Sequence, residues 1–184
     1  MKKQVGLNEE MIIPEGIEII IGDNEITAKK DSRQITRKFD SGIKINKNEN
    51  KILLSTRRMK KMDRRNMGTV KGHIKNIIEG LSNGFEYELE ICNVHFPMTV
   101  TYDKAKKEFI IKNLLGEKAP RIVKASDKIE VEIKAPHIKI KGYDIEIAGQ
   151  TAADLEKATK IRNRDRNKFQ DGIFITKKPG VSFI

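Results

Sequence analysis

The chain has 184 residues, 38% hydrophobic and 34% charged, with a formal net charge of +11. It is apolar enough to fold as one mid-sized domain or two small ones, yet ion-rich for a protein with a large private core. Its excess of cations points to a polyanionic partner, nucleic acid or an anionic membrane, rather than to any fold.

The single cysteine, Cys92, excludes an intramolecular disulfide and suits a reducing compartment. Met1-Lys2-Lys3 leads into no apolar run of the signal-peptide kind. No stretch approaches the roughly 20 apolar residues that a membrane helix needs. The expectation is a soluble, cytoplasmic protein without a membrane partner.

The N-terminal sixty residues read as short strands. Ile17, Ile19 and Ile21 run through Glu18 and Ile20 into the turn residues Gly22-Asp23-Asn24. One further run ends at Lys29-Lys30, and another passes Ile35 to Arg37-Lys38-Phe39. The pair Ile43–Ile45 and Ile52–Leu54 flanks the polar Asn46-Lys47-Asn48-Glu49-Asn50, completing a small antiparallel sheet. The period then lengthens. Met67, Val70, Ile74, Ile77, Ile78 and Leu81 fall on one helical stripe, with Asp63 or Asn66 as the predicted N-cap and Asn83-Gly84 as the stop.

Beyond Gly84, Phe85, Tyr87, Leu89 and Ile91 alternate with Glu86, Glu88 and Glu90, so one sheet face is apolar and the other acidic. Phe96, Met98, Val100 and Tyr102 are predicted as the next strand, with Pro97 implying an edge or bulge. Phe109–Ile111, Ile129/Val131/Ile133, Ile138/Ile140 and Ile145/Ile147 continue the pattern. A second helix is predicted after Gly149, capped by Thr151 with Asp154 three residues later, and carrying Ala152, Leu155 and Ala158 on one side.

Both halves therefore run from strands to one helix, and Ile13-Pro14 opens the first as Phe96-Pro97 opens the second. This predicts a degenerate tandem duplication in the α+β class: two similar domains, residues 1–83 and 84–184, each a mostly antiparallel sheet packed on one main helix.

The charge is local. Residues 57–75 hold eight bases, Arg57, Arg58, Lys60, Lys61, Arg64, Arg65, Lys71 and Lys75, against Asp63 alone. Residues 157–178 hold eight more, Lys157, Lys160, Arg162, Arg164, Arg166, Lys168, Lys177 and Lys178, against Asp165 and Asp171. These segments net +7 and +6, so the remainder of a +11 chain is slightly acidic. A single basic run is commonly just a solvated face. Two runs holding all the excess are better matched to phosphates, where each cation releases condensed counterion. The second run also interleaves Asn163, Asn167 and Phe169. Its arginines can fork onto phosphate or stack on bases, its asparagines can donate to sugars or base edges, and Asp165 could orient Arg162 or Arg166. Phe169 could stack on a base but is better read as an anchor for the loop.

Catalytic signals are sparse. There is no GxGxxG or GxxxxGK[ST] loop and no nucleophile elbow. His73, His95 and His137 are scattered, and Cys92 with His95 makes two candidate ligands where zinc needs more. His73 lies in the basic helical segment, where a surface or RNA-facing role fits better than catalysis. No cofactor, metal or small-molecule substrate is expected.

With these residues laid out, the run from Asn66-Met67-Gly68 through Gly80-Leu81-Ser82-Asn83-Gly84-Phe85-Glu86-Tyr87 resembles the helix and linker of the large-subunit ribosomal protein L6 family. Val94-His95-Phe96-Pro97-Met98, Ala152-Ala153 through Ile161-Arg162-Asn163, and Lys168-Phe169-Gln170-Asp171-Gly172-Ile173 extend the likeness in the style of the archaeal and eukaryotic branch.

The resemblance implies a non-enzymatic constituent of the ribosome, with large-subunit ribosomal RNA and neighbouring ribosomal proteins as partners, near the translation-factor-binding region. It implies RNA contacts at Lys157, Lys160, Arg162, Asn163, Arg164, Lys168 and Phe169; the charge pattern adds Arg166, Arg57, Arg58, Lys60, Lys61, Arg64 and Arg65. The C-terminus departs from the bacterial pattern, which ends in a Tyr-Lys-Gly-rich stretch, so bacterial contacts do not transfer to it. The alternative is a free-standing nucleic-acid-binding protein or RNA chaperone, which would need a base-reading helix. A nucleic-acid-processing enzyme would need clustered carboxylates for magnesium.

Overall fold

The computed structural model describes residues 8–22, 25–39, 42–48, 50–56 and 60–183. Contacts divide the chain into two compact units, Met1–Asn83 and Gly84–Ile184. The first contains β1 (Asn8–Ile12), β2 (Glu18–Ile21), β3 (Glu25–Lys30), β4 (Arg33–Lys38), β5 (Lys44–Asn48), β6 (Lys51–Ser55) and α1 (Lys61–Ser82). The second contains β7 (Phe85–Cys92), β8 (Thr99–Asp103), β9 (Glu108–Lys112), β10 (Arg121–Lys124), β11 (Ile129–Lys134), β12 (His137–Gly142), α2 (Ile145–Ala158), β13 (Gly172–Lys178) and β14 (Val181–Ser182).

The duplication is visible in the pairing. The first unit has two antiparallel sheets, β1-β6-β5 and β2-β3-β4. The second repeats them as β7-β12-β11 and β8-β9-β10, then adds β13 and β14 on the far edge of β7. The fold is α+β, as predicted, but each unit carries two sheets instead of one small one.

In α1, Met67, Val70, Ile74, Ile77 and Leu81 are buried, the stripe predicted by the 3.6-residue period. They close over a core that includes Ile26, Ala28, Ile52 and Leu54. The helix starts earlier than predicted. Lys60 is the N-cap, and Asp63 lies inside the first turn, where its carboxylate accepts from the Lys60 backbone N–H at 3.3 Å. Neither Asp63 nor Asn66 is the cap.

In the second unit Tyr87, Leu89 and Ile91 of β7 meet Ile138 and Ile140 of β12, Ile173 of β13 and Ala148, Ala152 and Leu155 of α2. Burying each such large side chain contributes about 1.5–3 kcal/mol. On the opposite, acidic face of β7 two glutamates are paired: Lys139 lies 3.2 Å from Glu88, Lys141 lies 3.2 Å from Glu86, and Lys177 lies 3.4 Å from Glu88.

Four sequence expectations are corrected. Ile145 and Ile147 are not in a strand but in the first turn of α2, because Asp144 caps that helix by accepting from the Glu146 N–H at 3.0 Å. Thr151 is therefore no cap; it lies buried in the helix, its hydroxyl donating to the Ile147 carbonyl at 3.0 Å. Gly149 marks a close approach rather than a start: a Cβ there would stand 2.7 Å from the Tyr87 hydroxyl. Phe96 and Met98 precede β8 in an irregular segment held by side chains, with Asn93 accepting from the Met98 N–H and Asn113 donating to the Pro97 carbonyl. The strands β1, β10, β13 and β14 went unpredicted.

Candidate nucleic-acid interface

The second basic run forms the connection from α2 to β13, and three polar side chains hold it in place. At its start, Thr159 ends α2 and accepts from the Ile173 N–H at 2.9 Å, while its hydroxyl reaches the Leu155 carbonyl at 3.2 Å. In the middle, Asp165 does not orient Arg162 or Arg166 but builds a turn. Its carboxylate accepts from the Asn167 N–H at 2.9 Å, and its carbonyl accepts from the Phe169 N–H at 2.9 Å. At the end, buried Asp171 accepts from the Val94 and His95 backbone N–H groups, each at 2.8 Å, and lies 2.6 Å from His95 Nδ1. Burial alone would raise the Asp171 pKa, but the hydrogen bonds from His95 and Val94 outweigh it and bring it down to about 2.

Phe169 is the loop's anchor. One ring face stacks on His95 at a centroid distance of 4.7 Å and an interplanar angle of 18°, and the Arg164 guanidinium lies 4.7 Å from the ring centroid. Arg164 is thereby fixed by a cation–π contact. Asn163 has φ +57°, a left-handed conformation that Asn tolerates better than most side chains, so backbone geometry already accounts for its residue type.

This frame presents Lys160, Arg162, Arg164, Arg166 and Lys168 as exposed side chains along one short connection, with exposed Lys157 just before them in the last turn of α2. Lys157 lies 3.8 Å from Asp154. Among the described residues, Lys160, Arg162, Arg166 and Lys168 have no carboxylate partner. The lysines on the β7 sheet face are spent on glutamates; these are not.

The first basic run divides. Arg57 and Arg58 lie outside the described residues. Lys60, Lys61, Arg64 and Arg65 are exposed at the start of α1, where positive charge opposes the helix dipole. Arg65 contacts the Met62 sulfur at 3.3 Å, and Lys71, further along, lies 2.8 Å from Glu9. His73 packs beside Phe39, ring centroids 5.9 Å apart.

The frame has no local signature in the sequence. The His95 ring, which with Cys92 makes two candidate metal ligands by sequence, is engaged by Asp171 and Phe169, and burial with nearby Glu90 and Asp171 pushes the Cys92 thiol pKa up. Asp171 counted only as a negative charge. The partners lie 76 positions apart, beyond any local pattern.

The fold and site together define a repeated α+β protein with an anchored, exposed basic connection. A family model described as Ribosomal protein L6 matches residues 96–172. Large ribosomal subunit protein uL6 of Methanobrevibacter smithii is 43% identical over 173 residues, covering 94% of this chain and 96% of the relative. The uL6 proteins of Methanococcus vannielii and Aeropyrum pernix are 37% and 35% identical, covering 95% and 99% of this chain and 95% and 100% of their own lengths. The chain belongs to the ribosomal protein L6 (uL6) family, in its archaeal branch, and is a non-enzymatic structural constituent of the large ribosomal subunit.

Proposed function

We propose that the chain binds large-subunit ribosomal RNA through the α2–β13 connection, with the start of α1 as a second contact surface, and bridges RNA elements in the particle. The observation that carries this reading is the anchored connection itself: four cations that have no carboxylate partner among the described residues, on a backbone fixed by Thr159, Asp165, Phe169 and Asp171. Pre-positioned cations lose less freedom when they meet phosphate, and unpaired ones have no intramolecular bond to break. Lys157, Lys160, Arg162, Arg164, Arg166 and Lys168 would contact phosphate, recognising RNA shape more than sequence. Phe169 would act indirectly, by holding the loop and Arg164. Lys60, Lys61, Arg64 and Arg65, with Arg57 and Arg58 before them in the chain, would supply the second surface; phosphate there would relieve the repulsion between these cations and the helix dipole.

Within the particle we place these contacts near the translation-factor-binding region, on the strength of the family resemblance, with neighbouring ribosomal proteins as further partners and the cytoplasm as the compartment. Among the described residues no helix is long and apolar enough to cross a membrane.

The test is binding to a large-subunit ribosomal RNA fragment and to an unrelated structured RNA across a salt series, for the wild type and for a variant with Arg162, Arg164 and Lys168 changed to Ala. The reading expects preference for the ribosomal fragment and a log–log salt slope that falls by roughly 0.7–0.9 for each phosphate contact removed. Equal affinity for both RNAs, with the variant unaffected, would return weight to a generic nucleic-acid binder or chaperone.

A further inference from the structure

Between the end of α2, the basic connection and β13 lies a cavity of about 230 Å3. Its lining sets the cations Lys157, Lys160 and Arg166 and the apolar Ile161 and Phe174 beside two carboxylates, exposed Glu156 and the already hydrogen-bonded Asp171. The volume is below the ~300–1,000 Å3 usual for pockets that enclose drug-sized ligands, and suits a single planar ring system better than a whole nucleotide.

The fold builds this space deliberately. Gly172 has φ +148°, and a Cβ at that position would stand 3.3 Å from the Phe174 ring and 3.5 Å from the Thr159 hydroxyl. The missing side chain at 172 lets the Phe174 ring lie close over the backbone without displacement. Successive strand residues face opposite sides, so buried Ile173 enters the core while half-buried Phe174 turns away from it. Phe169 is already occupied by His95 and Arg164. Among the described residues no ring or cation contact covers Phe174, which leaves it as the aromatic available for stacking.

We propose that this cavity receives one unstacked nucleobase from a bulged or single-stranded position of the bound RNA, against Phe174 and Ile161, with Lys157, Lys160 and Arg166 holding the flanking phosphates. The proposal rests on the RNA-binding reading above and adds to it. Phosphate contacts position a protein on RNA but carry no sequence information, whereas an inserted base fixes the register. An aromatic wall beside three cations is the chemistry that recognises a base and its backbone together.

Two measurements test it. In NMR titrations of the full-length chain, adenosine 5′-monophosphate is expected to shift Ile161 and Phe174 side-chain signals saturably, while ribose 5-phosphate shifts only signals of the basic side chains. Equal shifts of Ile161 and Phe174 with both probes, or none with either, would overturn the proposal. Separately, Ile161→Trp fills the cavity and leaves every cation in place. It is expected to weaken binding to the ribosomal RNA fragment roughly tenfold, the scale of one lost base–aromatic stack, with the salt slope unchanged. If the wild type prefers that fragment and Ile161→Trp binds equally well, base insertion is overturned and the phosphate reading stands. If the wild type shows no preference, it is the underlying reading that falls, and the nucleotide titration still decides the cavity.

Discussion

Asp171 shows how much one side chain can organise. It satisfies two backbone N–H groups and a ring nitrogen from the irregular segment between β7 and β8. Asp171→Ala removes the charged acceptor of all three bonds and is expected to cost about 1.5–3 kcal/mol, readable as a drop in denaturant midpoint. The pH dependence has a defined sign. A carboxylate whose pKa falls on folding stabilises the native state above its ordinary pKa, and that contribution is lost as pH falls through the folded value. For Asp171 the window runs from 3.8 down to about 2. Thermal stability of the wild type should fall across that window, and Asp171→Ala should show a shallower fall there; parallel curves would refute the assignment. The residue lay within the basic run singled out from the sequence, but only its charge was legible. Its partners come from a loop before β8, and no spacing rule connects them.

Among the elements, α1 was legible because its apolar stripe repeats over several turns, while its first turn was not, being charged apart from the exposed Met62. The start of α2 misled for a different reason. Ile145-Glu146-Ile147 alternates like a strand, and three residues cannot distinguish a period of 2 from one of 3.6. Gly149 then resembles a breaker although its purpose is steric, letting α2 pass against Tyr87. Gly149→Ala should therefore destabilise the second unit by about 1–3 kcal/mol through overpacking, despite alanine's better helix propensity. Tyr87→Phe in the same chain removes the hydroxyl that the new methyl meets and should recover part of the loss. An additive double-mutant cycle would contradict this reading. Leu155→Ala, by contrast, empties a fully buried site beneath the same helix and should cost about 2–5 kcal/mol in chemical denaturation.

The tandem repeat could be seen in the sequence because both halves run from strands to a helix. The extra strand β13 could not, because its partner β7 lies far earlier and its terminal Lys177-Lys178 drew it into the basic run. The separation of charge is a property of the complete pattern. Net charge alone does not distinguish Lys139 from Lys168; the first is paired with Glu86 and Glu88 and the second with no carboxylate among the described residues. Changing Lys139 and Lys141 to Ala should therefore leave RNA affinity and its salt slope near wild type, while removing Arg162 and Lys168 lowers both. Equal losses from the two double variants would mean that total charge, not its placement, drives binding.

Ultraviolet cross-linking of assembled large subunits, followed by mass spectrometry of the peptide–nucleotide adducts, tests the central claim most directly. The account predicts adducts concentrated between Lys157 and Phe169, with a second group between Lys60 and Arg65. Adducts confined to the β7–β12 sheet face, with both basic segments unmodified, would contradict it.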